Sequence, residues 1–213
     1  PLPDGHLGKE SLVAATLHAK AVSLSIAGTE ILGCASIALF TATCLGIVGP
    51  NRARNCTLLR VLAGMLPASS GEIRCDGRAA SRDTRNGRIL LLAHHAGMNE
   101  SLSARENLRF LAGLYGCRDG ATPASVIDRV GLAGWIDEPL RTLSAGQKKR
   151  VALARLLLLP GDLWLLDEPY ANLDRRGIDL VNALIAAHCA AGGAALVTSH
   201  GAVRFADPAA RHI

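Results

Sequence analysis

Apolar residues fall in short runs, some of which end on a turn signal or an acid. Thr43 to Val48 (TCLGIV) stops at Gly49-Pro50-Asn51, Arg88 to Ala93 reads RILLLA, Leu163 to Leu166 reads LWLL, and Ala194 to Thr198 reads AALVT. These runs are too short for helices, and their unbroken apolar character suits strands buried on both faces. Leu12 to Leu24 predicts one or two edge strands. Glu72 to Arg74 predicts a short strand between the Pro67–Gly71 turn and the Asp76-Gly77 turn. Residues 1–9 read as a frayed terminus.

Helical spacing lies between these runs. Thr57 to Met65 (TLLRVLAGM) puts Leu58, Leu59, Leu62 and Met65 on one side. ESLSARENLRFLAGLYG and PASVIDRVGLAGWID predict a helical insertion over about 100–140. Ser144 opens a long helix through Leu159, closed by Pro160-Gly161, and Leu180 to Ala191 predicts another. Strands alternating with helices imply an α/β domain with a mostly parallel, doubly wound sheet. Ligands bind such sheets at the carboxyl ends of the strands, here after Val48, Leu166 and Thr198.

Composition narrows the class. The chain has 213 residues, 49% of them hydrophobic and only 3% aromatic, so aliphatic side chains must fill the core. Its mean hydropathy of +0.25 excludes wholesale disorder. Between Ile31 and Gly49 no residue is charged. That is long enough for a membrane span, but Gly33, Cys34, Ser36, Thr41, Thr43 and Gly46 interrupt it, and two strands around a turn explain it better. No signal peptide is evident at the amino end. The net charge of +5 is mild and basic residues are not interleaved with aromatics, which argues against nucleic acid as a partner. The six cysteines include no CxxC pair and read as reduced, buried hydrophobes.

The strongest chemical signal is Leu163-Trp164-Leu165-Leu166-Asp167-Glu168-Pro169. Four apolar residues running into two acids put both carboxylates at the end of a buried strand. Asp167 suits Mg²⁺, which takes few protein oxygens and keeps several waters. Glu168 suits polarisation of a water that attacks a phosphate. Upstream, Leu143-Ser144-Ala145-Gly146-Gln147 has a good N-cap in Ser144 and a glycine that lets phosphate approach a helix start. Downstream lie Asn172-Leu173-Asp174 and Thr198-Ser199-His200. Each alone has a bland reading as a capped helix, a solvated strand end or a surface histidine.

In this order, LSAGQ, LLDEP, NLD and TSH resemble the signature motif, Walker B strand with its glutamate, D-loop and switch histidine of ABC-transporter ATPase domains. The resemblance covers the chain from about Leu12 onward. It implies a single domain over 1–213: a RecA-like P-loop core with a mostly parallel sheet and antiparallel edge strands, and a helical subdomain inserted at about 97–144. It further implies ATP and Mg²⁺ as cofactors, with Asp167 and residue 56 at the metal and Glu168 and His200 catalytic. The nucleotide site would comprise Gly49, Pro50, Asn51, Arg52, Ala53, Arg54, Asn55, Cys56, Thr57 and His95. Ser144, Ala145, Gly146, Gln147 and Asp174 would come from a second copy in a head-to-tail homodimer. AHHAGM (93–98), SLSARENLRF (101–110) and LSAGQKKRVALARL (143–156) are similar to stretches of the haem-exporter ATPases of c-type cytochrome maturation, the CcmA family. That implies a peripheral subunit on the cytoplasmic face of the inner membrane. It would pair with separate integral-membrane permease chains and couple ATP hydrolysis to haem export or release. A catalytically weak scaffold under a permease, an ATPase of another exporter and a soluble DNA- or ribosome-directed ABC protein are the alternatives; the last usually carries two domains or coiled-coil insertions.

The phosphate loop departs from G-x-x-x-x-G-K-[ST]. Arg52 and Arg54 stand where glycines belong, Asn55 where lysine belongs and Cys56 where the magnesium-binding hydroxyl belongs. Arginine brings a Cβ into space that phosphate-directed N–H groups need. Loss of the lysine removes a charge-assisted hydrogen bond worth roughly 1.5–3 kcal/mol, and a thiol is too soft for Mg²⁺. His95 stands where many such domains have a glutamine, and no aromatic upstream of the loop is placed to stack adenine. Two explanations fit mismatches confined to 52–56: a local error in the sequence, or a degenerate site in a subunit that works structurally or beside a competent partner. The fourfold reversion Arg52→Gly, Arg54→Gly, Asn55→Lys and Cys56→Thr is expected to tighten ATP–Mg²⁺ binding at least about tenfold, a matter of only ~1.4 kcal/mol. Asn55→Lys alone should do much less, and titration with a fluorescent ATP analogue measures both. Equal affinity would mean that the loop is not the phosphate site.

Overall fold

The structure, a computed structural model, describes residues 16–48, 52–85, 87–93, 97–199 and 211–212. Strands β1 (Leu17–Ile26) and β2 (Thr29–Leu39) form an antiparallel hairpin. Its two-residue turn, Ala27-Gly28, has positive φ at both positions, the geometry whose twist matches that of paired strands. Strand β4 (Ser70–Cys75) pairs with β1, and the short β5 (Arg78–Ala79) with β4, giving the order β2-β1-β4-β5. The antiparallel strands thus make a sheet of their own.

The second sheet contains β3 (Cys44–Val48), β6 (Ile89–Leu92), β7 (Leu163–Asp167), β8 (Ala194–Ser199) and β9 (Arg211–His212). All its pairings are parallel, in the order β6-β7-β8-β3-β9. Side chains alternate across it with period two. Trp164, Leu166, Ala195 and Val197 pack on one face into a core with the helices α3 (Ala104–Tyr115), α4 (Pro123–Arg129), α5 (Ala145–Leu158) and α6 (Arg175–Ala190). Leu163, Leu165, Ala194 and Leu196 face the other way, into a core with the antiparallel sheet and α1 (Arg52–Leu62). Burial on both faces explains the unbroken apolar runs. The uncharged stretch after Glu30 resolves into β2 and β3, and no helix among the described residues is long and apolar enough to cross a membrane.

Three boundaries differ from the sequence expectation, each for a local reason. Helix α1 starts at Arg52, so the mismatched loop residues belong to its first turns. Helix α6 starts at Arg175, because the Asp174 carboxylate accepts from the Gly177 N–H at 2.8 Å and caps a polar first turn that has no apolar signal. Helix α4 ends at Arg129, where Gly131 takes a positive φ, and a 3₁₀ turn at Ala133–Trp135 follows. A short helix α2 (Arg82–Arg85) lies between β5 and β6. Between β6 and α5 the described elements are all helical. Among the described residues no disulfide forms, but only Cys44, Cys75 and Cys189 are buried; Cys34 and Cys117 are exposed and Cys56 is intermediate, so the expectation of six buried thiols is corrected. Cys34 and Cys117 sit on the exposed side of β2 and in the loop after α3, where no second layer covers them.

One buried polar group tunes the core. The His188 ring stacks on Trp164 with centroids 3.8 Å apart and planes 6° from parallel. Its Nε2–H donates to the Asp162 carbonyl at 3.1 Å. Burial, then the nearby Arg118 charge, push its pKa down to about 4. The unfolded chain binds this proton near the ordinary value of ~6.5, so the neutral ring stabilises the fold fully above that pH. That contribution is lost as pH falls from about 6.5 through 4. Urea midpoints should therefore decline across this window in the wild type and decline less in His188→Phe, whose ring keeps the stack without titrating.

Candidate functional site

The parallel register brings three strand ends level. Val48 lies opposite Ser199, and Asp167 lies opposite Thr198. Neighbouring strands are ~4.8 Å apart, so the acids of β7 and the segment leaving β3 share one edge with β8 between them. Asp167 is 5% exposed and Glu168 9%. The Thr198 hydroxyl donates to Asp167 Oδ1 at 3.0 Å and accepts from the Glu168 N–H at 3.3 Å. It holds the Asp167 carboxylate and the Glu168 backbone at once. Glu168 has φ +48°, a left-handed backbone uncommon for a non-glycine residue, which turns it off the strand direction. Lys149 Nζ, from α5, donates to the Glu168 carbonyl at 3.1 Å and ties the turn to that helix.

On the neighbouring segment, Gly49, Pro50 and Asn51 lie outside the described residues, as do His95 and His200. Ala53, Arg54, Asn55, Cys56 and Thr57 occupy the first turns of α1, and the backbone of Arg52 opens it. Arg54 is exposed. The Thr57 hydroxyl is turned back to the Ala53 carbonyl at 2.7 Å. Among the described residues, Asn55 Nδ2 is buried with no hydrogen-bond partner. A buried amide donor of this kind is costly unless an acceptor such as a phosphate oxygen meets it.

The helix α5 is built for its start. The Ser144 hydroxyl accepts from the Gln147 N–H at 3.2 Å, and Gln147 Oε1 accepts from the Ser144 N–H at 2.8 Å, a complete capping box. A Cβ at Gly146 would lie 3.0 Å from the Asn172 carbonyl oxygen, so glycine permits the close approach of the 172–174 loop. Asn172 itself has φ +64°, and Asp174 Oδ1 lies 3.6 Å from Arg150 Nη2. Ser144, Ala145, Gly146, Gln147 and Asp174 line an open depression of about 700 Å³ together with Trp135, Arg150 and Asn172. Asp167, Glu168 and α1 do not line it. One chain therefore separates the strand-edge acids from the capped helix start. A second cleft, about 350 Å³, lies along α5 between Lys148, Lys149 and Glu100, with Ala93 and Gly97 flanking the position of His95.

The ABC transporter family matches residues 32–171. The chain belongs to this family. A cytochrome c biogenesis ATP-binding export protein CcmA from Xanthomonas campestris pv. campestris is 49% identical over 195 residues, 92% of this chain and 90% of that protein. The CcmA of Xylella fastidiosa is 43% identical over 88% of this chain and 87% of its own length. The fold matches cbiO1 from Clostridium perfringens, part of the ABC transporter complex cbiONQ, with TM-score 0.70 and 24% identity over 91% of this chain and 81% of that one. The chain is an ATP-binding subunit of an ABC transporter, and the family it belongs to is one of ATP hydrolases.

Sequence reasoning did not single out Thr198 and Lys149 as site residues, although both sit inside quoted motifs. Their roles depend on a cross-strand register and a helix–turn contact that spacing along the chain does not contain. Thr198→Val keeps the side-chain shape and deletes the hydroxyl that serves both acids. It should cost about 1–3 kcal/mol, since the Glu168 N–H is left without its acceptor. Urea denaturation of the two proteins measures the difference.

Proposed function

We propose that the chain is the ATP-driven subunit of an exporter in cytochrome c biogenesis, moving or releasing haem through separate permease chains at the cytoplasmic face of the inner membrane. The similarity to CcmA proteins over nine-tenths of their length supports the pathway. Haem itself rests on the family resemblance. The observation that carries the mechanism is the pair of buried acids at the end of β7, tied to one threonine hydroxyl.

In this reading the triphosphate lies over the segment between β3 and α1, with Asn55 Nδ2 as a donor to it. Asp167 offers a hard carboxylate oxygen to Mg²⁺, which supplies charge neutralisation to the phosphates. Cys56 would stand at the other metal position, where its sulfur does not suit that ion; Asp167 would then be the hard protein oxygen that holds it, with water and phosphate oxygens beside it. Glu168 orients and polarises the attacking water, and the φ of +48° aims it away from the strand axis. His200 directly follows β8 in the sequence and would hold the γ-phosphate. His95 would read the metal.

The second half of the site comes from a homodimer. Ser144–Gln147 and Asp174 open on a depression that the chain's own acids do not reach. A helix N-terminus lined with N–H groups suits phosphate, so a second copy's nucleotide completes both sites. The helical elements over about 97–144 form an inserted subdomain that borders this surface and contributes Trp135 and Ser144 to it.

A second reading, an ABC-shaped scaffold with weak turnover, is favoured by α1. Its Arg54 is exposed and its Thr57 hydroxyl is already satisfied by Ala53. ATPase activity of the chain assembled with its permease separates the two readings.

Glu168→Gln should remove the water-polarising carboxylate while keeping Asp167. With ATP and Mg²⁺ the variant is expected to elute as a dimer in size-exclusion chromatography. A variant that binds nucleotide and stays monomeric would count against the assigned role of Glu168.

A further inference from the structure

The depression at the start of α5 contains a side chain that neither the motifs nor the phosphate chemistry uses. Trp135 is 46% exposed, whereas the chain's other tryptophan, Trp164, is buried at 2%. It lines the same depression as Ser144, Ala145, Gly146 and Gln147. Its exposed ring face would gain burial free energy from a flat partner seated in the depression.

The turn that carries Trp135 is held from several sides. Arg150, from the capped helix itself, donates to the Val130 carbonyl at 3.1 Å. The Leu132 N–H donates to the Ile127 carbonyl at 3.0 Å, and the Trp135 N–H to the Leu132 carbonyl at 2.9 Å. Behind it, the Arg105 N–H donates to the Ile136 carbonyl at 2.9 Å, and the Arg105 guanidinium grips both oxygens of Asp137 at 2.6 and 3.0 Å. Leu132 is buried and anchors the start of the turn. The indole is thus presented on a fixed support beside the helix start, as a stacking surface needs to be.

Among the described residues, the hairpin ahead of α1 gives the nucleotide's own chain few aromatic rings to stack on the base. Neither β1 nor β2 contains Phe, Tyr or Trp, and the carbonyl of Phe40, just after β2, closes a local turn with the Thr43 hydroxyl at 2.7 Å. We propose that Trp135 stacks on the base of the nucleotide held by the second copy in the homodimer, and that it gives the composite site its preference for purines. The inference rests on the homodimer reading above. A purine offers a larger π surface than a pyrimidine, so stacking discriminates between them without hydrogen bonds to the base.

The test uses the full chain carrying Glu168→Gln, with dimer formation followed against ATP or CTP in the presence of Mg²⁺. The half-saturating concentration for ATP is expected to be about tenfold lower than for CTP, ~1.4 kcal/mol. Adding Trp135→Ala should bring that ratio close to one, and Trp135→Phe should keep most of it. A purely structural role for Trp135 would weaken both nucleotides equally and leave the ratio unchanged, which would overturn the proposal. In a further variant with Trp164→Phe, Trp135 is the only tryptophan, and its emission should be quenched on ATP-driven dimerisation. Unchanged emission on a dimer that does form would also overturn it. If the Glu168→Gln chain binds ATP without dimerising, the homodimer reading fails first and the inference falls with it. A Trp135→Ala chain that loses only its capture by permease-containing membranes, with the nucleotide ratio intact, would assign the indole to the permease instead and sink the proposal.

Discussion

The level ends of three parallel strands are the constraint on which the rest depends. Parallel pairing in register sets Asp167 beside Thr198 and Val48 beside Ser199. Because both faces of this sheet are buried, its strands cannot slide by one residue without turning Trp164 and Leu166 into the wrong core. Core packing therefore holds the acids at the edge. Local strain at Glu168, with its positive φ, persists because Thr198 and Lys149 fix the backbone on either side of the turn.

The helix α5 links the two halves of the chemistry. Its buried residues, Val151 to Ala154 and Leu156 to Leu158, pack against the sheet, while its capped start faces an open depression. One turn in, Lys149 reaches back to the carbonyl of Glu168. A shift of α5 relative to β7 would thus be felt both at the helix start and at the acid-bearing turn. The close approach of Gly146 to the Asn172 carbonyl couples the 172–174 loop to the same helix end. The capped helix start and the backbone of Glu168 are in this way mechanically adjacent, although the depression at the helix start does not include Glu168.

The phosphate loop is where local chemistry and global architecture disagree. Distal to it, Asp167 and Glu168 stand at the end of β7 and Ser144 caps α5. At 52–56 the side chains change to arginine, asparagine and cysteine, yet α1 still forms and still packs Leu58, Leu59, Val61 and Leu62 into the core. The helix depends on its apolar face, which is intact, and is indifferent to the polar residues of its first turn. The buried Asn55 amide, without a partner among the described residues, marks the place where that indifference has a cost.

Much was legible along the chain. Apolar runs revealed the strands because strands buried on both faces need no polar positions, and the Ser144 cap and the two acids pointed to a candidate site because their chemistry is local. The start of α6 and the end of α4 were not legible, because a polar capped turn and a glycine reversal carry no apolar periodicity. Nor was the exposure of Cys34 and Cys117, since hydrophobicity alone does not say which face is covered. By itself the sequence determined the element order, the α/β class and the identity of the acids, all properties of short segments. Only the tertiary structure decided that Thr198 serves both acids, that Lys149 grips the turn and that Trp135 stands exposed beside the capped helix. Those depend on strand register and on contacts between segments far apart in the chain, and residue spacing does not encode either.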